Sequence, residues 1–444
     1  MKSSLNDRAA WAESGWLPLI LFVVTILTRI PFASQYLYHW DSVNMAFGIE
    51  KFDVLNGAPQ FPGYIVYVVL GQLMNALIGS PQTTMVLISV VCSGLAAVAL
   101  YYLGRDMFNP VTGLIASVFL IASPLVWFYG EIALPHAPDL FVITWVVWML
   151  YRIMQGDTRL LWFTAVVMAL LGGFRQQDLL FLGPVALFAL YRIGVRRLMI
   201  FTAVGFVFTL LWFIPLTQNA GGIQAYLAGS SGFSAAFFNS TSLLAGAGFT
   251  GLRRNLFLKL IPYTLYAWSL AIVPALIYWG VKLPVQWRVW LRSRRAWFIA
   301  LWIAPTLAFY IIIHMGQQGL VFVFMPALFL LSAEASYRLL NARPNLLWAS
   351  TAAVALAGTA IFLFAPEYPL GGSDLRLLTN ATIRTADRLR ADEIATVRAS
   401  FDPTHTVLVS EGWRYTEYYL PEYELVRISV GSKYEVNEGQ ILDV

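Results

Sequence analysis

Long apolar runs separated by short polar breaks set the pattern of this chain. Runs of the length needed to cross a bilayer as a helix, roughly 17 to 25 residues, fall at Trp16–Phe32, Thr83–Leu103, Val111–Tyr129, Pro138–Met154, Leu160–Phe174, Leu179–Ile193, Leu198–Leu216, Leu258–Val281, Trp297–Ile313, Leu320–Tyr337 and Leu346–Phe364. The fifth and sixth are short and extend into their flanks. A twelfth apolar segment, Phe61–Ile78, is ambiguous. The pattern predicts an α-helical polytopic membrane protein of about 11 spans. Trp16–Phe32 reads as a retained first span, because no small-residue cleavage site follows a signal-like core.

Basic residues assign sides to these spans. If Phe61–Ile78 does not cross, thirteen Lys and Arg, from Arg105 to Arg343, fall in one set of loops. Only Lys51, Arg175, Arg253, Arg254 and Lys259 fall in the other. If it does cross, the bias inverts. Phe61–Ile78 therefore reads as an outer interface or re-entrant helix, broken at Pro62-Gly63. The N-terminus is then cytoplasmic and the C-terminal tail extracytoplasmic. Asp41, Glu131, His136, Asp139, Arg175, Asp178 and His314 all fall on the outer side, where function is expected.

The tail differs in character. Of 29 basic and 24 acidic residues, 8 and 13 lie after Phe364, leaving a membrane part with 21 and 11. Asp374–Ser400 reads as a polar helix, His405–Ser410 and Tyr423–Val430 as strands, and Trp413–Tyr419 as a short helix. The expected organisation is a transmembrane catalytic domain over 1–365, with its first outer loop at 33–82, followed by a small extracytoplasmic α/β domain over 366–444. A long loop is expected over Thr217–Phe257, which is rich in Gly, Ser, Ala and Phe and has no acidic residue.

Composition adds little beyond this. A hydrophobic content of 59% places the chain among membrane proteins, and the pI near 9.2 follows from the topological arginines rather than from nucleic-acid binding. Cys92 is the only cysteine, so no intrachain disulfide forms.

The residues that could carry chemistry sit in short outer stretches. In His39-Trp40-Asp41-Ser42, a carboxylate at the bilayer surface can take a proton from an acceptor. The alternative is a helix cap for Val43–Glu50. Glu131, His136 and Asp139 form a second group able to position an acceptor or bind a cation, or to serve as polar loop residues. His39, His136 and His314 share the side without the spacing of a metal site. Arg175 suits bidentate phosphate binding or an ion pair with Asp178. Arg253 and Arg254 suit a lipid-linked phosphate or anionic headgroups. His314 and Gln317, in a Gly316–Gly319 turn, could hydrogen-bond phosphate or sugar. Arg29 is expected to snorkel or to pair with an outer carboxylate.

Five stretches together carry a resemblance: Trp40-Asp41-Ser42, Phe61-Pro62-Gly63-Tyr64, Leu103 to Phe108, Ser123-Pro124 through Glu131, and His314 to Gly319. In order and side the chain resembles the GT-C superfamily of membrane glycosyltransferases, in its protein O-mannosyltransferase-like and aminoarabinose-transferase-like branches. The tail segment Tyr418 to Tyr423 also resembles the ends of related bacterial proteins. The resemblance implies a polyprenyl-phosphate-linked sugar as donor and an acceptor that is protein, lipid or envelope glycan. It makes Asp41 the general base; by side and residue type, His39, Glu131, His136 and Asp139 are expected beside the acceptor. Arg175, Arg253, Arg254, His314 and Gln317 are its candidates for holding the donor phosphate. Direct displacement would invert the anomeric centre. Two departures stand out: Ser42 follows Asp41 where many relatives have a second acid, and Gln60-Phe61-Pro62 replaces His-Pro-Pro. A divalent cation is therefore left open as a cofactor. The expected location is a bacterial plasma membrane. A transporter or flippase is the main rival, although such proteins place charge at the midplane and carry inverted repeats.

Overall fold

The computed structural model describes residues 15–371 and 376–428. Its elements are mostly helical: α1 (Leu17–Arg29), α2 (Trp40–Glu50), α3 (Ile65–Ile78), α4 (Pro81–Met107), α5 (Pro110–Ala122), α6 (Pro124–Tyr129), α7 (His136–Met154), α8 (Leu161–Phe174), α9 (Gln176–Leu190) and α10 (Val195–Asn219) come first. They are followed by α11 (Ile223–Thr241), α12 (Gly248–Arg253), α13 (Ile261–Trp268), α14 (Ile272–Leu291), α15 (Arg294–Ile312), α16 (Met325–Leu340) and α17 (Pro344–Phe364). Among the described residues, six helical stretches are long and apolar enough to cross a membrane, and five apolar helices are shorter. The shorter ones include Ile65–Ile78. At 1.5 Å per residue its 14 residues reach about 21 Å, short of a ~30 Å hydrocarbon core.

Packing sorts the helices. α4 and α7 bury most of their apolar windows, whereas α10 and α17 leave most of theirs on the surface. An apolar surface of that extent suits lipid, not water. α4 and α5 cross with backbones in contact: a Cβ on Gly104 would lie 2.6 Å from the Cα of Gly113. At one end of this pair the carboxylate of Asp106 takes Arg105 at 2.8 Å, Arg152 at 3.0 Å and the Trp148 indole at 2.9 Å. α7 carries Asp139 near its start and Arg152 near its finish, about 20 Å apart along the helix. The two charged groups therefore occupy opposite ends of the bundle.

Several expectations need correction. The stretch over Thr217–Phe257 is not a loop: it folds largely as α11 and α12, because its Ala and Leu residues favour helix once Gly222 has turned the chain. The run Val111–Tyr129 breaks at Ser123, which caps α6 through its hydroxyl before Pro124. The run from Leu258 passes through a π-helical turn, Arg254–Leu260, and a break at Ser269, whose φ is 49°. Leu320–Tyr337 begins as a 3-10 turn (Gln318–Val323) before α16. α3 starts later than Phe61, after Gly63 (φ 104°) and Tyr64 (φ 40°) swing the chain through left-handed backbone.

The tail holds α18 (Asn380–Ser400), β1 (Val407–Ser410), α19 (Trp413–Tyr419) and β2 (Glu424–Arg427). A reciprocal Thr379–Thr382 capping box starts α18. Asp374 and the end of the second expected strand, Ser429-Val430, lie outside the described residues. β1 and β2 pair in parallel, Val407 opposite Glu424, with α19 as the crossover. The tail docks on the loop after α1. Asp387 accepts from the Ser34 hydroxyl at 3.1 Å and from the backbone N–H of Gln35 and Tyr36, both at 3.0 Å.

Candidate functional site

Asp41 sits in the first turn of α2, where a carboxylate interacts favourably with the helix dipole. It is not the cap. His39 is, its Nδ1 accepting the Asp41 N–H at 3.1 Å. Accepting that bond requires a lone pair on Nδ1. The 3.6 Å approach of the same nitrogen to Asp41 Oδ2 is therefore a neighbouring contact rather than an ion pair. The Asp41 side chain, 29% exposed, takes a hydrogen bond on Oδ2 from the Gln317 amide at 2.6 Å.

That bond fixes the rest of a chain. A carboxylate only accepts, so the amide nitrogen of Gln317 faces Asp41 and its Oε1 faces His136 Nε2, 2.8 Å away. His136 consequently carries its proton on Nε2. The ring lies edge-on to Tyr129, centroids 4.7 Å apart, and is buried. Gly319 makes room for it: a Cβ there would come within 2.5 Å of His136 Cγ. Gly319→Ala is expected to push the ring off Gln317, to cost about 1–3 kcal/mol of stability as overpacking does, and to lower turnover. Thermal unfolding in detergent and a turnover assay check both effects.

Arg175 lies between α8 and α9, buried, with Nη1 2.9 Å from Asp139 Oδ2. The expected partner Asp178 is not the one in contact. It is buried nearby with both oxygens unbonded, and the Tyr64 hydroxyl faces the same guanidinium. Two buried carboxylates share one arginine. Arg175→Met is expected to destabilise the protein by about 3–5 kcal/mol, since it strands buried charge. Adding Asp139→Asn should recover part of that loss, as read from unfolding midpoints.

A second basic group gathers around the 314–317 turn. Arg254 Nη1 donates to Asn255 Oδ1 at 2.9 Å and to the Met315 carbonyl at 3.1 Å. Asn255, fully buried, also donates to the Thr241 carbonyl at 2.9 Å, locking α11 to the turn. The His314 ring meets the Thr241 hydroxyl at 3.0 Å. Burial, with Arg254 and Lys259 close by, holds the His314 imidazole down at about 4. At neutral pH it is a hydrogen-bonding group and not a cation. Arg253 is exposed. Met315 and Gln317 are two residues apart, so roughly 7 Å of backbone at most links the Arg254 contact to the Asp41 contact.

The structure does not bring all the sequence candidates together. Glu131 is buried away from this chain of contacts, below the loop after α1, its backbone carbonyl accepting from Ser34 N–H at 2.9 Å. Burial pushes its carboxyl well above the usual range, and Arg29 partly offsets this. Arg29 neither snorkels nor forms a close ion pair. Its guanidinium lies over Trp127 at 4.1 Å and donates to the Ile121 carbonyl at 2.6 Å. Sequence reading missed Asn255, Tyr64 and Tyr129. Their contacts join residues distant in the chain, and no local spacing marks them.

A metal ion does not fit the described residues. No three His, Cys, Asp or Glu side chains converge to hold one. Where two acids do lie near each other, Asp139 and Asp178, Arg175 already pairs with Asp139 at 2.9 Å.

The dolichyl-phosphate-mannose-protein mannosyltransferase family model matches residues 63–218. That segment includes Asp139 and Arg175 but neither Asp41 nor the 314–317 turn. No curated protein sequence matches the chain. Among solved structures, it is similar to ArnT from Cupriavidus metallidurans bound to undecaprenyl phosphate, with TM-score 0.63 and 14% identity over 95% of this chain and 87% of that one. It is also similar to the Archaeoglobus fulgidus oligosaccharyltransferase in complex with Zn and sulfate, with TM-score 0.53 and 14% identity over 92% of this chain and 62% of that one. The same archaeal enzyme tethered to an acceptor peptide gives TM-score 0.53 and 13% identity over 93% and 64%. The chain thus spans less than two thirds of the archaeal enzyme. At such identities the likeness is one of fold.

Proposed function

We propose that this chain, a membrane glycosyltransferase of the GT-C type, transfers a monosaccharide from a polyprenyl-phosphate donor to an extracytoplasmic acceptor, with Asp41 as general base. The observation that carries this reading is the Asp41 carboxylate, half-open and held by Gln317, on the same turn that anchors Arg254. The solved structure of ArnT with undecaprenyl phosphate supports the donor class.

The acceptor O–H or N–H gives its proton to Asp41 as the acceptor atom attacks the anomeric carbon. The bond from that carbon to the phosphate oxygen breaks, and polyprenyl phosphate leaves. One displacement inverts the centre. Arg254 and Lys259 offset the charge gathering on the departing phosphate, and neutral His314 offers a hydrogen bond. His136 and Gln317 hold the carboxylate in line. Arg175 is already spent on Asp139, so its role here is to fix the surrounding helices rather than to bind phosphate. The site end of the bundle faces the extracytoplasmic side, with eleven crossings and the tail outside. The tail forms a small domain that covers the first outer loop.

The test supplies purified protein with radiolabelled polyprenyl-phosphate sugars and a crude envelope acceptor fraction. Label moving onto the acceptor is the expected result. Donor binding with no label transferred from any sugar supplied would replace the enzyme by a lipid-sugar carrier.

A further inference from the structure

α19 belongs to the tail, yet its polar side chains reach into the loop that carries Asp41. Arg414, 7% exposed, uses four of its five N–H groups. Nε donates to Asn44 Oδ1 at 2.8 Å, one turn along α2 from Asp41. Nη2 donates to the carbonyls of Asn56 at 3.2 Å and Gly57 at 3.0 Å, in the turn that follows α2. Nη1 reaches Glu417 at 2.9 Å, and the guanidinium covers the Phe47 ring at 4.6 Å. The approach to α2 is tied to the same helix: the Tyr415 hydroxyl donates to the Tyr38 carbonyl at 3.2 Å, and the Leu37 N–H donates to the Tyr419 hydroxyl at 2.7 Å. Entry, body and exit of the α2 segment are thus bolted to one seven-residue helix.

Burying a guanidinium is costly, and an apolar side chain would fill the same space with less desolvation. What an apolar residue lacks is the planar fork, which fixes direction as well as distance. Proton abstraction is sensitive to position at the level of about 1 Å. α2 bears the proposed base in its first turn, so whatever orients that turn orients the base.

We infer that Arg414 is a positioning residue for Asp41, through which the tail sets the base's place over the acceptor. The inference rests on the reading of Asp41 given above. The tail is then part of the working site and not an appendage to it.

The experiment uses the full chain in detergent or nanodiscs, comparing wild type, Arg414→Met, Arg414→Lys and Asp41→Asn. Methionine supplies an apolar chain of similar length beside Phe47 and loses the fork. Amide exchange over residues 38–57 and turnover of a polyprenyl-phosphate sugar are read together. For Arg414→Met the expectation is α2 exchange faster by about tenfold, turnover lower by at least about tenfold, and donor KM within about twofold. Exchange in α4 and α7 should not move, and Arg414→Lys should fall between. Wild-type exchange in α2 with wild-type turnover would overturn the inference. So would faster exchange throughout the bundle, which would make Arg414 a general stabiliser. Absence of transfer by wild type would sink the reading of Asp41, and the exchange arm alone would then decide whether Arg414 holds the helix.

Discussion

Asp41→Asn is expected to reduce sugar transfer by about 10²–10⁴-fold, the range that general-base removal gives, with donor binding unchanged. The substitution is close to isosteric. The new amide oxygen can still accept the 2.6 Å bond from Gln317, so the link through Gln317 to His136 stays in place. What disappears is the ability to take a proton. The loss should fall on kcat with the donor dissociation constant near wild type, because Arg254 and Lys259 are untouched. Asp41→Glu keeps the charge but displaces it by a methylene, and should retain more activity than Asn while remaining well below wild type. A wild-type rate for Asp41→Asn would remove this carboxylate from the chemistry. Loss of donor binding in the same variant would make Asp41 part of the donor pocket.

Much of the fold was legible because bilayer physics is simple. Apolar runs marked nearly every helix, and the resemblance to GT-C enzymes agrees with the family match and the similar solved folds. What failed did so for identifiable reasons. The Thr217–Phe257 stretch looked like a loop because its glycines and serines masked Ala, Leu and Phe at helical positions, and α11 runs through it. Among the described residues, six stretches meet the length and apolarity of a crossing helix and five apolar helices are shorter. Several runs break at proline or serine, so helices end before the apolar run does. In the tail, the short helix was read at its observed bounds, Trp413–Tyr419.

The site was legible in its members more than in their pairings. Asp41, His136 and Gln317 were each singled out, but nothing local indicates that a glutamine 276 positions away holds the aspartate. The nearest acid in sequence to Arg175 is Asp178, and sequence spacing alone favoured that pair. The helix geometry gives the contact to Asp139 instead, because α7 and α9 pack side by side. Glu131 shares a stretch with His136, yet the bend from Gly130 to Pro135 sends it under the loop after α1 while His136 turns toward Gln317. Proximity in the chain is weak guidance wherever a turn separates two helices.

The second large effect is expected at Arg254. Arg254→Gln should lower kcat/KM for the polyprenyl-phosphate donor by about 10²–10³-fold, comparable to removing one preorganised donor from a site of developing negative charge. On the proposed reading both steps of donor use would depend on it: binding of the ground-state phosphate and stabilisation of the leaving group. One neighbour and one conservative variant give an internal scale. Arg253 is exposed, so Arg253→Gln should change activity by no more than about threefold, with a salt-dependent part, as exposed charges do. Arg254→Lys restores the charge without the second arm, and should recover donor binding more than it recovers turnover. The substitution also removes the bond to the Met315 carbonyl, which lies two residues from the Gln317 that holds Asp41. Inorganic phosphate or free polyprenyl phosphate, titrated as an inhibitor, separates the two contributions. If Arg254 binds phosphate, inhibition by both should weaken in Arg254→Gln by the factor by which donor affinity falls. If inhibition is unchanged while turnover drops, Arg254 acts only by holding the turn, and the donor phosphate lies elsewhere, with Lys259 next to be replaced.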